Sequence, residues 1–246
     1  MSFYVFKMKK SYYWTLAALI AIGFFWYTDV LTVVDMPVSG VAPYYHGDTS
    51  QPRMSLTINI DWGQEQVPKM LKILKEKDVK ATFFITGKWA KKFPDLVKEI
   101  YDAGHEIGNH GFSHTHPNQL SRDKFNQHIK KNEEILYNII GVRTNLYAPP
   151  YGEWNKSVVN CTDQLGYKLI MWSADTIDWQ RPEPNVIVNR VTRKASNGGI
   201  VLMHPIEQTV RALPTMIDQL RTKGYTLVTV SELLNSGETG GTRGTD

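Results

Sequence analysis

From Met54 onward, short runs rich in β-branched and aromatic residues alternate with segments whose apolar residues recur at i, i+3, i+4 and i+7. A chain of that pattern needs a parallel sheet with helical crossovers. Met54 to Ile60 is the first β-rich run, and Val67, Met70, Leu71 and Leu74 then mark an amphipathic helix. Further strands are expected at Val79 to Thr86, through Ile107, at Leu146 to Ala148, at Tyr167 to Ser173, at Gly199 to Met203 and at Tyr225 to Val230. Helices are expected from about Asp95 to a cap at Gly104, from Ser121 through Ile140, at Asn155 to Leu165, at Asn185 to Lys194 and near Thr209 to Lys223. The expected fold class is α/β: a distorted parallel (β/α) barrel of about seven strands, closed or nearly so.

The ends do not share that texture. Lys7, Lys9 and Lys10 precede Tyr12 to Thr28, an uncharged run of 17 residues, and no Arg or Lys follows until Arg53. The segment 1–28 therefore reads as a cytoplasmic basic stretch and a single-pass membrane anchor or signal, with the rest of the chain outside the membrane. If the segment is cleaved, for example after Gly40, the domain is secreted. Residues 29–53, with Pro37, Gly40, Pro43, Gly47 and Pro52, read as a linker, 54–235 as the domain, and the glycine-rich 236–246 as a disordered tail. The net charge of +4 comes from lysines scattered along helical segments. No aromatic-basic pattern accompanies them, so nucleic acid is not an expected partner. The lone Cys161 cannot form an internal disulfide and reads as a buried helix residue.

In a parallel α/β fold, ligands bind at the carboxyl ends of the strands. The polar or unusual residues there are Asn59, Asp61 and Trp62; His110 and His114; Pro149, Pro150 and Tyr151; Asp175, Asp178 and Trp179; and His204. His110 and His114, four residues apart, suit a divalent ion such as zinc. They lie in Gly104-His105-Glu106-Ile107-Gly108-Asn109-His110, and with Lys80-Ala81-Thr82-Phe83-Phe84 and Pro149-Pro150-Tyr151-Gly152 this pattern resembles the polysaccharide deacetylases that share the NodB homology domain, carbohydrate esterase family 4. The resemblance spans Met54 to Leu234 and is nearest to the sporulation-associated, membrane-anchored branch of Gram-positive bacteria.

The resemblance implies metal-assisted hydrolysis of N-acetyl groups on a cell-wall glycan such as peptidoglycan or a chitin-like chain, a carbon–nitrogen bond hydrolase other than a peptidase. His110 and His114 match its metal ligands and His204, in Leu202-Met203-His204, its general acid. Asp175 and Asp178-Trp179 match the motif that orients that histidine and lines the groove. By the same resemblance Tyr151 would supply a backbone oxyanion donor, and Trp62, Pro149, Pro150, Trp179 and Leu202 would form the substrate groove.

The family's first motif, Thr-Phe-Asp-Asp-Gly, is altered to Thr57-Ile58-Asn59-Ile60-Asp61-Trp62-Gly63. Aligned from Thr57, the base position holds Asn59 and the ligand position Ile60; aligned from Gly63, they hold Asp61 and Trp62. Neither Asn, Ile nor Trp can do the carboxylate's work. The arginine before Pro149-Pro150, which supports the base in the family, is Ala148 here. Loss of both members of a charge pair favours the gapless alignment, leaving Asp61 as a displaced base or a displaced metal ligand. Two readings follow: a divergent N-deacetylase using Asp61, and a catalytically impaired homologue that binds cell-wall glycan.

Overall fold

The computed structural model describes residues 42–235. The expected anchor, most of the linker and the tail lie outside the described residues. Among the described residues no helix is long and apolar enough to cross a membrane.

Eight parallel strands make the sheet: β1 (Arg53–Ile60), β2 (Thr82–Ile85), β3 (Glu106–Asn109), β4 (Leu146–Tyr147), β5 (Lys168–Leu169), β6 (Ala174–Asp175), β7 (Gly199–Met203) and β8 (Thr226–Leu227). Seven of them run in the order β5-β4-β3-β2-β1-β7-β6, and β8 pairs with the start of β1. The crossovers are α1 (Val67–Glu76), α2 (Gly87–Lys92), α3 (Pro94–Asp102), α4 (Arg122–Ile140), α5 (Lys156–Gln164), α6 (Pro184–Lys194) and α7 (Glu207–Thr222), with α8 (Val230–Asn235) at the end.

β1 is buried on both faces, as a central parallel strand must be. Met54, Leu56, Ile58 and Ile60 pack outward with Val67, Met70 and Leu74 of α1 and Leu213 and Met216 of α7. The two-residue period sends Ser55, Thr57 and Asn59 to the other face, the barrel interior. The foot of that interior is filled by Phe84, Leu146, Ile170 and Ile200 with Val230 and Leu233 of α8.

The structure departs from the sequence reading in four places, the first being α2, a short helix at Gly87–Lys92 that was not expected. The strand expected at Tyr167 to Ser173 is only the short β5; β6 begins just past that run, at Ala174, and the two lie at opposite ends of the seven-strand path. The chain crosses between them where Met171 N–H donates to Tyr44 C=O at 2.8 Å and Ser173 N–H to Ile200 C=O at 3.0 Å. The strand expected to reach Val230 stops at Leu227, because Thr229 and Glu232 form a capping box that starts α8: Thr229 N–H donates to the Glu232 carboxylate at 2.8 Å, and Glu232 N–H to Thr229 Oγ1 at 3.4 Å. Finally, the last part of the expected linker is joined to the barrel, with Tyr44 bridged to Ile170 and His46 to Gly199.

Candidate active site

The carboxyl ends of the strands open into a cleft of about 550 Å³. Asn59 and Trp62 enter it from β1 and the bend after it, His110 and His114 from the segment after β3, and Pro149, Tyr151 and Gly152 from the segment after β4. Trp172, Asp175, Trp179, Leu202 and His204 complete the lining. Of the groove residues expected from sequence, Pro150 is the one that does not reach the cleft; it is buried within the 3-10 turn behind Pro149.

One wall is built around Asp178, which is fully buried. Its Oδ1 accepts from His204 Nδ1 at 2.8 Å, and its Oδ2 accepts from the His204 backbone N–H at 2.7 Å and from Thr209 Oγ1 at 2.6 Å. With a carboxylate as acceptor, Nδ1 carries the proton, and Nε2 is left as the nitrogen able to exchange one with a ligand. The loop holding Asp178 is strained, with Ile177 at φ 50° and Arg181 at φ 54°. Asp175 folds it by accepting from Ile177 N–H at 2.8 Å, and Arg190 fastens it by donating to Thr176 C=O at 2.9 Å. Trp62 lies parallel to His204, ring centroids 6.2 Å apart with planes 9° from parallel. Gly63 permits this: it has φ +82°, and a Cβ there would stand 2.2 Å from Pro205 C=O.

The facing wall carries the two other histidines, ring centroids 5.3 Å apart. His110 is buried, and its Nδ1 donates to Ala148 C=O at 2.7 Å, leaving the Nε2 lone pair free. Burial, followed by the charge of His114, lowers its pKa to about 3, so the ring is neutral at ordinary pH. Burial also lowers His114, with the Asp61 charge opposing. Beneath them, Asn109 Oδ1 accepts from Gly111 N–H at 2.7 Å and from Asn132 Nδ2 at 2.9 Å, which fixes the backbone on either side of His110.

Two imidazoles whose charged forms burial disfavours suit a divalent ion, but among the described residues no third ligand completes the pair. Among the described residues no three His, Cys, Asp or Glu side chains form a group able to hold a metal. Asp61, expected as third ligand or base, is absent from the cleft lining; its Oδ1 accepts from the Thr86 hydroxyl at 2.8 Å. The reason is local. β1 ends at Ile60, so Asp61 no longer follows the strand's two-residue period and turns toward Thr86, whose N–H is bonded to Ile60 C=O at 3.0 Å. Ile60 itself is sealed in the outer core, while Asn59 faces the cleft, the placement implied by the gapless alignment. The donor set among the described residues therefore stops short of a complete metal site.

Tyr151 forms the lip between the walls. It is 55% exposed, has φ 59°, stacks on His116 with ring centroids 4.1 Å apart and meets the His114 ring edge-on at 4.4 Å. His116 is held in turn by Glu153 at 2.9 Å. The sequence offered no sign of Thr209 or Trp172. The first is an ordinary helix residue in sequence, and the second was masked by the apolar run that made Tyr167 to Ser173 read as one strand.

A carboxylate-held histidine thus shares the mouth of a parallel barrel with a histidine pair. The family profile described as polysaccharide deacetylase matches residues 46–170, and the chain belongs to that family. It is 38% identical over 209 residues to the uncharacterized protein YlxY of Bacillus subtilis, covering 85% of this chain and 66% of that protein. A peptidoglycan-N-acetylglucosamine deacetylase of Bacillus cereus is 34% identical over 210 residues, covering 82% of this chain and 76% of the enzyme. Among solved structures, a wild-type pseudoenzyme of family CE4 from Bacillus anthracis superposes with a TM-score of 0.78 at 42% identity, covering 80% of this chain and 70% of that one. A mutant of that pseudoenzyme, described as having restored enzymatic activity, gives the same TM-score of 0.78 at 41% identity.

Proposed function

We propose that the cleft binds an N-acetylated sugar of cell-wall glycan, peptidoglycan foremost, and that the chain is a polysaccharide N-deacetylase homologue whose hydrolytic step is slow. One observation carries this reading. Asn59 stands in the cleft with its Oδ1 buried and without a hydrogen-bond partner among the described residues, opposite a complete His204–Asp178–Thr209 array. An orphaned acceptor in a cleft costs stability unless a ligand donor meets it, and the acetamide N–H or a hydroxyl of the sugar is such a donor. An amide cannot take a proton from water, so the attacking step lacks its base.

The remaining residues keep definite tasks. His204 Nε2 is placed to give a proton to the departing sugar nitrogen, with Asp178 fixing the ring. The Tyr151 backbone N–H, on its strained turn, is the candidate donor to the developing oxyanion. Trp62 and Trp179 offer ring faces to the sugar. A divalent metal, zinc in first place, would find two ligands in His110 and His114. The basic and apolar segment at 1–28 would tether the domain to the outer face of the membrane, beside its substrate.

A second reading is favoured by the Asp61 charge acting on His114: Asp61 serves as base through a bridging water, and the chain is an active deacetylase. Acetate release from purified peptidoglycan and N-acetylglucosamine oligomers, with and without added divalent metal, separates the two. The proposal expects saturable glycan binding with acetate release near background in the wild type, unchanged by Asp61→Ala. Ready release that Asp61→Ala abolishes would establish the second reading instead, and absence of glycan binding would sink both.

A further inference from the structure

Beside the cleft stand two aromatic side chains that no step above uses. The Trp154 indole N–H donates to the Tyr45 hydroxyl at 3.1 Å, yet the two residues are 37% and 40% exposed. With the indole's one donor spent on its neighbour, much of what the pair shows to solvent is apolar ring surface.

Both rings are held by anchored backbone. Tyr44 N–H donates to Leu169 C=O at 2.8 Å and Tyr44 C=O accepts from Met171 N–H at 2.8 Å, while Gly47 N–H donates to Gly198 C=O at 2.8 Å. Tyr45 is thus fixed from both sides. Trp154 follows Gly152, which lines the cleft, and Glu153, which grips the His116 ring stacked on Tyr151. Two residues of extended chain span at most about 7 Å, so the pair begins within a sugar's length of the cleft lip.

We propose that Tyr45 and Trp154 form a second saccharide subsite, stacking on the apolar C–H face of a sugar farther along the same glycan strand whose N-acetyl group occupies the cleft. The inference rests on the glycan reading above. A pyranose ring suits the surface because two rings are far too small an area for a stable protein interface, are fixed before binding, and continue a cleft already walled by aromatic rings. Pre-organised rings lose little freedom on binding, so even a two-ring contact adds measurable affinity.

Titration calorimetry of the full chain with N-acetylglucosamine oligomers from dimer to hexamer tests it. Affinity is expected to rise with length in the wild type. Trp154→Ala and Tyr45→Ala should each weaken hexamer binding by up to about tenfold and leave dimer binding unchanged, whereas Trp62→Ala should weaken every oligomer. Tyr45→Phe, which keeps the ring and loses only its hydroxyl, should keep most of the hexamer affinity. Unaltered length dependence in Trp154→Ala overturns the subsite while leaving the glycan reading intact. An equal loss for dimer and hexamer also overturns it, since the residues would then act through the cleft or the fold. If no oligomer binds the wild type, both proposals fall together.

Discussion

The two walls of the cleft are finished to different degrees. On the His204 wall each oxygen of the buried Asp178 carboxylate is met by donors, and the loop that carries it is held in a strained conformation by Asp175 and Arg190. On the His110 wall burial lowers the pKa of both imidazoles, Asn59 Oδ1 has no partner among the described residues, and the Asp61 carboxylate is engaged by Thr86. On the proposed reading the first wall would release a proton, and the second, with Asn59 at the base position, would not accept one. Binding and proton donation would then outlast hydrolysis, because the side chains proposed to fix a sugar are distinct from the one that would activate water.

The largest expected effect comes from repairing the weaker wall. Asn59→Asp should raise acetate release from N-acetylglucosamine oligomers on the order of 10²-fold, the lower end of a general base's contribution. The low end applies because Ile60 still fills the ligand position and Ala148 offers no cation to steady the new carboxylate. Unchanged release at unchanged glycan affinity would mean that the walls do not differ in the way described. Damage to the better wall should cost somewhat less. Asp178→Ala leaves the His204 N–H, His204 Nδ1 and Thr209 hydroxyl without their acceptor, and chemical denaturation should show a loss of about 2 kcal/mol, part of the cost offset by removal of a buried charge.

Much of the barrel could be read from residues 54–165, because periods of two and of 3.6 residues are local properties and the strands and longer helices there obey one of them, whereas the six-residue α2 is too short to show a period. The placement of His110, His114, Tyr151, Asp175 and His204 at strand ends followed from the same alternation. What was not legible depended on partners distant in sequence. Tyr167 to Ser173 reads as one strand, and only the backbone bonds of Met171 to Tyr44 and of Ser173 to Ile200 show the chain leaving one edge of the sheet for the other. The arm at residues 44–48 reads as linker because its ties to Leu169, Gly198 and Leu233 run through backbone groups, which leave no side-chain signature. Asp61 was expected at the mouth by extending the strand period one residue past the last residue of β1, and its bond to Thr86, distant in sequence, was not legible.

A smaller effect tests the neutral-histidine character of the weaker side. β3 runs between His105 and His110, and burial, helped by the Lys80 charge, lowers His105 to about 4. A histidine with a folded pKa below its unfolded value contributes full stability above about 6.5, and that stability is lost as the unfolded chain takes up protons between about 6.5 and 4. His105→Gln should therefore make the acid loss of stability shallower, by about 1.5 kcal/mol at pH 5 after allowance for partial solvent screening. Denaturation curves at neutral pH and at pH 5 measure it. A parallel shift at both pH values would show that His105 acts by packing alone.

The smallest effect falls where the walls meet. Gly152 has φ +66°, and a Cβ there would stand 2.5 Å from the Trp172 indole. Gly152→Ala must accept a left-handed backbone and displace that ring, at a cost of about 1 kcal/mol in stability. Because Trp172 lines the cleft, the displacement should also weaken N-acetylglucosamine dimer binding several-fold, whereas Gly141→Ala, also at positive φ but with open space around its Cβ, should lose similar stability and no affinity. Equal affinities for the two variants would show that the indole yields without disturbing the sugar.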